Sequence, residues 1–118
     1  MKITRSLTMN REDYGAIIFI AGEYVGKIVR LKPDEEIYIG RDAKTCNIVM
    51  HSEEISRNHC IVRYDCKERK YYVTDISMNG IFICINGTNK LLTMEKEYGL
   101  IPETEIILAG GRDKIILG

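Results

Sequence analysis

HCIVRYDCKERKYYVTD, residues 59–75, is two strand-like runs separated by four polar residues. Branched and aromatic side chains fill both runs, and such residues fit a pleated, half-buried surface. Alternation in the first run sets Cys60, Val62 and Tyr64 on one face and His59, Ile61 and Arg63 on the other. Hydrophobicity by itself does not say which face is the core. The insert Cys66-Lys67-Glu68-Arg69 has the charge expected of a solvated hairpin tip. Of the adjacent Tyr71 and Tyr72, alternation places one in the core and one on the surface.

The same pattern extends in both directions. AIIFIA (16–21), GKIVRL (26–31), IYIG (37–40) and NIVM (47–50) come before, and IFICI (81–85), KLL (90–92), KEYGLI (96–101), EIILA (105–109) and DKIILG (113–118) come after. That makes eleven candidate strands. Between them, Gly22-Glu23, Pro33-Asp34, Asn86-Gly87 and Gly110-Gly111 provide the turn chemistry, through positive φ or a fixed one. Short apolar runs cut by turn signals, without a helix-period stretch, predict an all-β sandwich or barrel. The residue choice agrees, with 19 Ile, 5 Val and 7 Tyr against 4 Ala. At 118 residues there is room for one domain with its own core. Residues 1–15 are polar and aperiodic, so a flexible leader is expected before a folded unit at 16–118. Thr4 and Thr8 in that leader are open to phosphorylation, although a plain disordered leader is the simpler reading.

Lys and Arg number 17, as do Asp and Glu, so the formal net charge is zero. This excludes the basic footprint of a non-specific nucleic-acid or membrane-surface binder. Any recognition of anions has to be local. No stretch is apolar enough for a membrane helix and the N-terminus lacks the apolar core of a signal peptide, so a cytoplasmic location is expected. The four cysteines, Cys46, Cys60, Cys66 and Cys84, contain no C-x-x-C pair. A mixed zinc site from Cys46, His51, His59 and Cys60 is not favoured by that spacing. Reduced thiols, no metal and no cofactor are the expectation.

Three loops carry polar residues that a packed β-domain does not need: Gly40-Arg41, then Ser56-Arg57-Asn58-His59, then Asp75-Ile76-Ser77-Met78-Asn79-Gly80. Each adjoins a strand, so a rigid element presents it. Arginine offers a planar fork of donors matched to phosphate, while Ser and Asn add short directional bonds. A hydrolase built on Ser56, His59 and Asp75 lacks the G-x-S-x-G elbow, and loop bracing explains the Ser–His spacing better. No enzymatic activity is expected.

In this order, G-R, S-R-x-H and D-x-S-x-N-G resemble the motifs of the forkhead-associated domain, here as a single domain of bacterial type over residues 16–118. The resemblance implies an eleven-stranded β-sandwich whose loops at one end bind phosphothreonine peptides, and the independent strand count agrees. It implies that Arg41 contacts the phosphate, that Ser56 donates to it and that Arg57 adds a second cation. Asn79 resembles the residue that holds the peptide main chain, with Met78 beside the phosphate. Gly40, His59, Ser77 and Gly80 match supporting positions, and Cys60 and Val62 turn inward. The implied partner is a phosphothreonine-containing protein modified by an upstream Ser/Thr kinase, with no nucleic acid and no membrane span.

Departures from the pattern matter for the site. Met78 stands where the family often has Thr or Ser, and Ile81 replaces the common Thr of N-G-T. Flanking Asn79, these two either line the pocket for the threonine methyl or fill it. Phe82 to Gly87 is longer than the usual hairpin, and Pro102-Glu103-Thr104-Glu105 replaces a Gly-Asp turn. The rival reading is a degenerate sandwich of the same fold, acting as a phosphate-independent scaffold or assembly module.

Overall fold

A computed structural model describes residues 13–118. Eleven strands form, one on each apolar run: β1 (Gly15–Ala21), β2 (Ile28–Leu31), β3 (Glu36–Gly40), β4 (Ile48–Val49), β5 (Cys60–Asp65), β6 (Lys70–Asp75), β7 (Phe82–Ile85), β8 (Thr88–Leu91), β9 (Glu97–Leu100), β10 (Glu105–Ala109) and β11 (Asp113–Leu117). They make a six-stranded sheet, β2-β1-β11-β10-β7-β8, and a five-stranded sheet, β4-β3-β5-β6-β9. The all-β sandwich expected from the sequence is the fold observed. All pairings of these strands are antiparallel except the short β3–β4 pair.

The core lies between the sheets. Ile17, Phe19, Ile106 and Ile115 from one sheet share a buried cluster with Ile39, Val62 and Val73 from the other. Each such side chain contributes about 1.5–3 kcal/mol when buried, so the faces the two sheets turn toward each other are held there once the sheets pack. On β5, Cys60, Val62 and Tyr64 are the buried face. The opposite face closes itself with charge: the Arg63 guanidinium sits 4.4 Å from the Tyr72 ring centroid and pairs with Asp34 at 3.4 Å and Glu97 at 3.5 Å. Tyr71 is buried and Tyr72 half-buried, as alternation requires. The Tyr71 hydroxyl accepts from the Ala16 amide at 2.9 Å and donates to the Gly118 carbonyl, tying the two sheets together.

Strand boundaries differ from the apolar runs where turn geometry takes over. β8 opens at Thr88, two residues before the KLL run. Asn86 and Gly87 both have positive φ, 51° and 80°, and form a two-residue hairpin turn that pairs Ile85 with Thr88. Gly26, at φ 92°, belongs to the turn before β2, so that strand starts at Ile28. β1 opens at Gly15, one residue ahead of its run. Thr4, Thr8 and most of the expected leader lie outside the described residues. Among the described residues no helix is long and apolar enough to cross a membrane.

Candidate functional site

The β3–β4, β4–β5 and β6–β7 loops come together at one end of the sandwich. Gly40, buried at the end of β3, makes that approach possible: a Cβ there would lie 2.1 Å from the Arg57 carbonyl oxygen and 2.8 Å from Cys46 Sγ. Past this point the first two loops are zipped by backbone bonds. The Arg41 amide donates to the Ser56 carbonyl at 3.0 Å and the Asp42 amide to the Arg57 carbonyl at 3.1 Å. Arg41 Nε donates to the Ile55 carbonyl at 2.5 Å. The base of the guanidinium is thereby fixed, and its two terminal nitrogens keep their donors for a ligand.

His59 supports this arrangement from beneath. It is fully buried. Its Nδ1 accepts from the Ser56 amide at 2.9 Å, so Nε2 carries the proton and donates to the Leu108 carbonyl at 2.5 Å. Burial holds the imidazole pKa below its ordinary value, against the opposing pull of the Leu108 carbonyl and of Asp75 and Asp113. The ring is a neutral strut between the β4–β5 loop and β10. Above it, Ser56 Oγ accepts from the Met78 amide at 2.9 Å.

The β6–β7 loop is built on Asp75. This buried carboxylate accepts from the Ser77 amide at 2.8 Å, the Ser77 hydroxyl at 2.6 Å and the Ile81 amide at 3.2 Å. Ser77 Oγ in turn accepts from the Gly80 amide at 2.8 Å. Gly80 takes φ 88°, a left-handed conformation that a Cβ disfavours. The tight turn pushes Met78 and Asn79 out to the tip, with Met78 86% exposed. Asn79 Nδ2 reaches the Glu54 carbonyl at 3.5 Å.

Arg41, Ser56, Arg57, Met78 and Asn79 line one groove of about 470 Å³. All five residues singled out in the sequence as contacts are therefore brought together, with Gly40, His59, Ser77 and Gly80 behind them. Lys44 joins Arg41 and Arg57 around an adjoining hollow, where Asp42 is occupied by the Lys44 amide at 2.9 Å. Sequence reasoning missed Glu53, Glu54 and Ile55, which complete the lining together with Asn58 and Ile76 of the loops already singled out. It also left the organising role of Asp75 unassigned. The D-x-S spacing, which favours a carboxylate bonded to the backbone two residues on, carried that signal. Ile81 neither lines nor fills the groove: it is fully buried in the core, drawn inward by strand alternation from Ile83.

The four cysteines are free thiols, and burial raises the pKa of Cys60 well above its ordinary value. Among the described residues no group of three or more His, Cys, Asp or Glu is arranged to hold a metal. His59 has both ring nitrogens engaged, and His51 Nδ1 pairs with Glu23 at 2.7 Å.

Residues 37–109 match the FHA domain family. Over 86 residues, 66% of this chain, the sequence is 36% identical to the probable serine/threonine-protein kinase fhkA of Dictyostelium discoideum, and the matched part is only 14% of that protein. The solution structure of the FHA domain of an Arabidopsis thaliana hypothetical protein superposes with TM-score 0.75 at 23% identity, covering 89% of this chain and 84% of that one. The N-terminal FHA domain of Saccharomyces cerevisiae Rad53p, solved with a phosphothreonine peptide, gives TM-score 0.69 at 17% identity, covering 88% and 91%. The family match spans more than half of the chain and coincides with the three loops described above: this protein belongs to the FHA domain family.

Proposed function

We propose that the chain is a phosphothreonine-dependent interaction module without catalysis, whose partner is a protein modified by a Ser/Thr kinase. One observation carries the reading. Ser56 Oγ accepts the Met78 amide, which leaves its hydroxyl proton available beside the terminal donors of Arg41 and the cation of Arg57. A phosphoryl group brings about −1.5 to −2 charge and three acceptor oxygens to such donors. Each charge-assisted bond contributes about 1.5–3 kcal/mol, and micromolar affinity needs only about 8 kcal/mol. Asn79, at the loop tip, holds the peptide main chain, and Met78 covers the phosphothreonine side of the groove. The phosphothreonine peptide bound by the Rad53p domain supports the same ligand class for this fold.

Catalysis is not part of the reading: the His beside Ser56 spends both ring nitrogens on bracing and has none left to take the Ser56 hydroxyl proton. Neither a cofactor nor a metal is called for. The binding unit is residues 16–118, with residues 1–15 as its leader, working in a reducing cytoplasm where the four thiols stay free. Exposed Met78, in place of a hydroxyl, favours the rival reading of a phosphate-independent scaffold. Calorimetry with three matched peptides, phosphothreonine, phosphoserine and unmodified threonine, separates the two. Phosphothreonine binds several-fold more tightly than phosphoserine if the methyl is enclosed, since one methyl in a shaped pocket is worth about 1–3 kcal/mol. Equal binding of the unmodified peptide overturns the proposal in favour of the scaffold.

A further inference from the structure

The two sheets treat their outer faces differently. That of the five-stranded sheet is sealed by the Arg63 stack and ion pairs. That of the six-stranded sheet is a run of apolar side chains. Register puts Ile28, Ile18 and Ile116 side by side on β2, β1 and β11, and Ile107, Phe82 and Leu91 side by side on β10, β7 and β8. Ile28 and Leu91 are 54% and 55% exposed and Phe82 37%. Monomers rarely show a contiguous apolar surface crossing a whole sheet without a use for it.

Charges interrupt this face at three positions: Arg30 beside Ile28 on the β2 edge strand, and two at the sheet centre, whose placement identifies the occupant. On neighbouring strands, Glu105 is opposite Ile116 and Lys114 is opposite Ile107. The four form a checkerboard at the sheet centre, with the charges on one diagonal and the isoleucines on the other. Among the described residues neither Glu105 nor Lys114 is in an ion pair. The two apolar rows are related to each other by the same pseudo-twofold pattern. A twofold axis lying in the face, perpendicular to the charged diagonal, brings Glu105 of one copy onto Lys114 of the other, twice, and sets isoleucine against isoleucine. Such self-complementarity is what an isologous interface requires. The strands of the two copies then cross steeply, as in orthogonal sheet packing.

We infer that the outer face of the six-stranded sheet is a homodimer interface, with a second copy of this chain as its occupant. Six strands at about 4.8 Å spacing make the face about 24 Å wide; only part of it is apolar, so the dimer is a weak one. The interface lies on a sheet face and the peptide groove on the loops at one end, so a dimer presents two grooves and gains avidity for doubly phosphorylated partners.

Sedimentation of the chain from micromolar to sub-millimolar concentration tests this. A concentration-dependent dimer is expected. Glu105→Lys and Lys114→Glu should each weaken it about tenfold or more by setting like charges face to face, and the double exchange should restore it. Amide shifts on dilution, which need no variant, should map to β10, β11 and β7 and leave β5 and β6 unmoved. A monomer throughout the range overturns the inference and leaves the face to another partner. A dimer indifferent to both single reversals, or one whose shifts lie on the five-stranded sheet, also overturns it.

Discussion

Ser56 Oγ accepts the backbone amide of Met78 at 2.9 Å, across 22 residues of sequence. One oxygen thus joins the β4–β5 loop to the β6–β7 loop and keeps its own proton for a ligand. Ser56→Ala removes both the tie and the donor. The variant is expected to lose about 1 kcal/mol of stability and at least about tenfold in phosphopeptide affinity, equivalent to about 1.4 kcal/mol. Paired calorimetric melts and titrations measure the two losses. A variant that melts early and binds normally assigns Ser56 to architecture alone.

Arg41 is exposed, and among the described residues its side chain makes one hydrogen bond, from Nε to the Ile55 carbonyl. Arg41→Ala should therefore fold with less than about 1.5 kcal/mol of destabilisation. Phosphopeptide binding should fall below detection as two charge-assisted donors vanish. Arg41→Lys keeps the charge but not the fork, so it should recover only part of the affinity. Wild-type affinity in the alanine variant removes Arg41 from the phosphate.

Gly40 has no room for a side chain, since its Cβ would clash with the Arg57 backbone. Gly40→Ala must therefore move the loop that carries Ser56 and Arg57. A loss of about 1–3 kcal/mol in denaturant unfolding, with weakened phosphopeptide binding, is expected. Unchanged values for both would mean that the loops do not approach as closely as found.

His59 is held neutral, its folded pKa lying below the ordinary 6.5. Below that pH the unfolded chain takes up a proton that the folded chain refuses, so stability rises with pH across this window and is lost on acidification. The slope from this one group approaches about 1.4 kcal/mol per pH unit. Melting temperatures from pH 7.5 to pH 5 should fall in the wild type and fall less steeply in His59→Ala, which begins less stable. Parallel curves would show that another group carries the acid sensitivity.

Asp113 is 1% exposed, and its Oδ2 has no hydrogen-bond partner among the described residues. Burial raises its carboxyl pKa, and the Glu23 and Glu54 charges add to this against the opposing Glu23 amide. Asp113→Asn keeps the shape and removes the charge, so it should stabilise the fold at neutral pH by about 1 kcal/mol. Near pH 3 the gain should vanish, because the native carboxyl is then already protonated. Thermal melts at the two pH values check both halves of the prediction.

The strands and the loop motifs depend on near neighbours in the chain, and for that reason they could be read from the sequence. Alternation in AIIFIA or EIILA, and the turn chemistry of Asn86-Gly87, act within a few residues, so eleven runs became eleven strands. Gly40-Arg41, Ser56-Arg57 and Asn79-Gly80 pointed to the candidate site together, through their order along the chain and its resemblance to the family motifs, where any one of them alone says little.

What the tertiary structure decided is what depends on contacts distant in sequence. The family resemblance already implied that Cys60 turns inward, where alternation by itself left both faces open; what holds the other face outward is the Arg63 stack on Tyr72 and its pairing with Asp34 and Glu97, groups drawn from three other segments. The removal of Ile81 from the groove to the core, and the meeting of Glu53 and Glu54 with the arginines in one groove, rest on how the two sheets pack. The diagonal of Glu105 and Lys114 exists only once β10 and β11 pair in register. Periodicity states how often a side chain points one way; packing between sheets determines which way that is, because only packing removes a face from water.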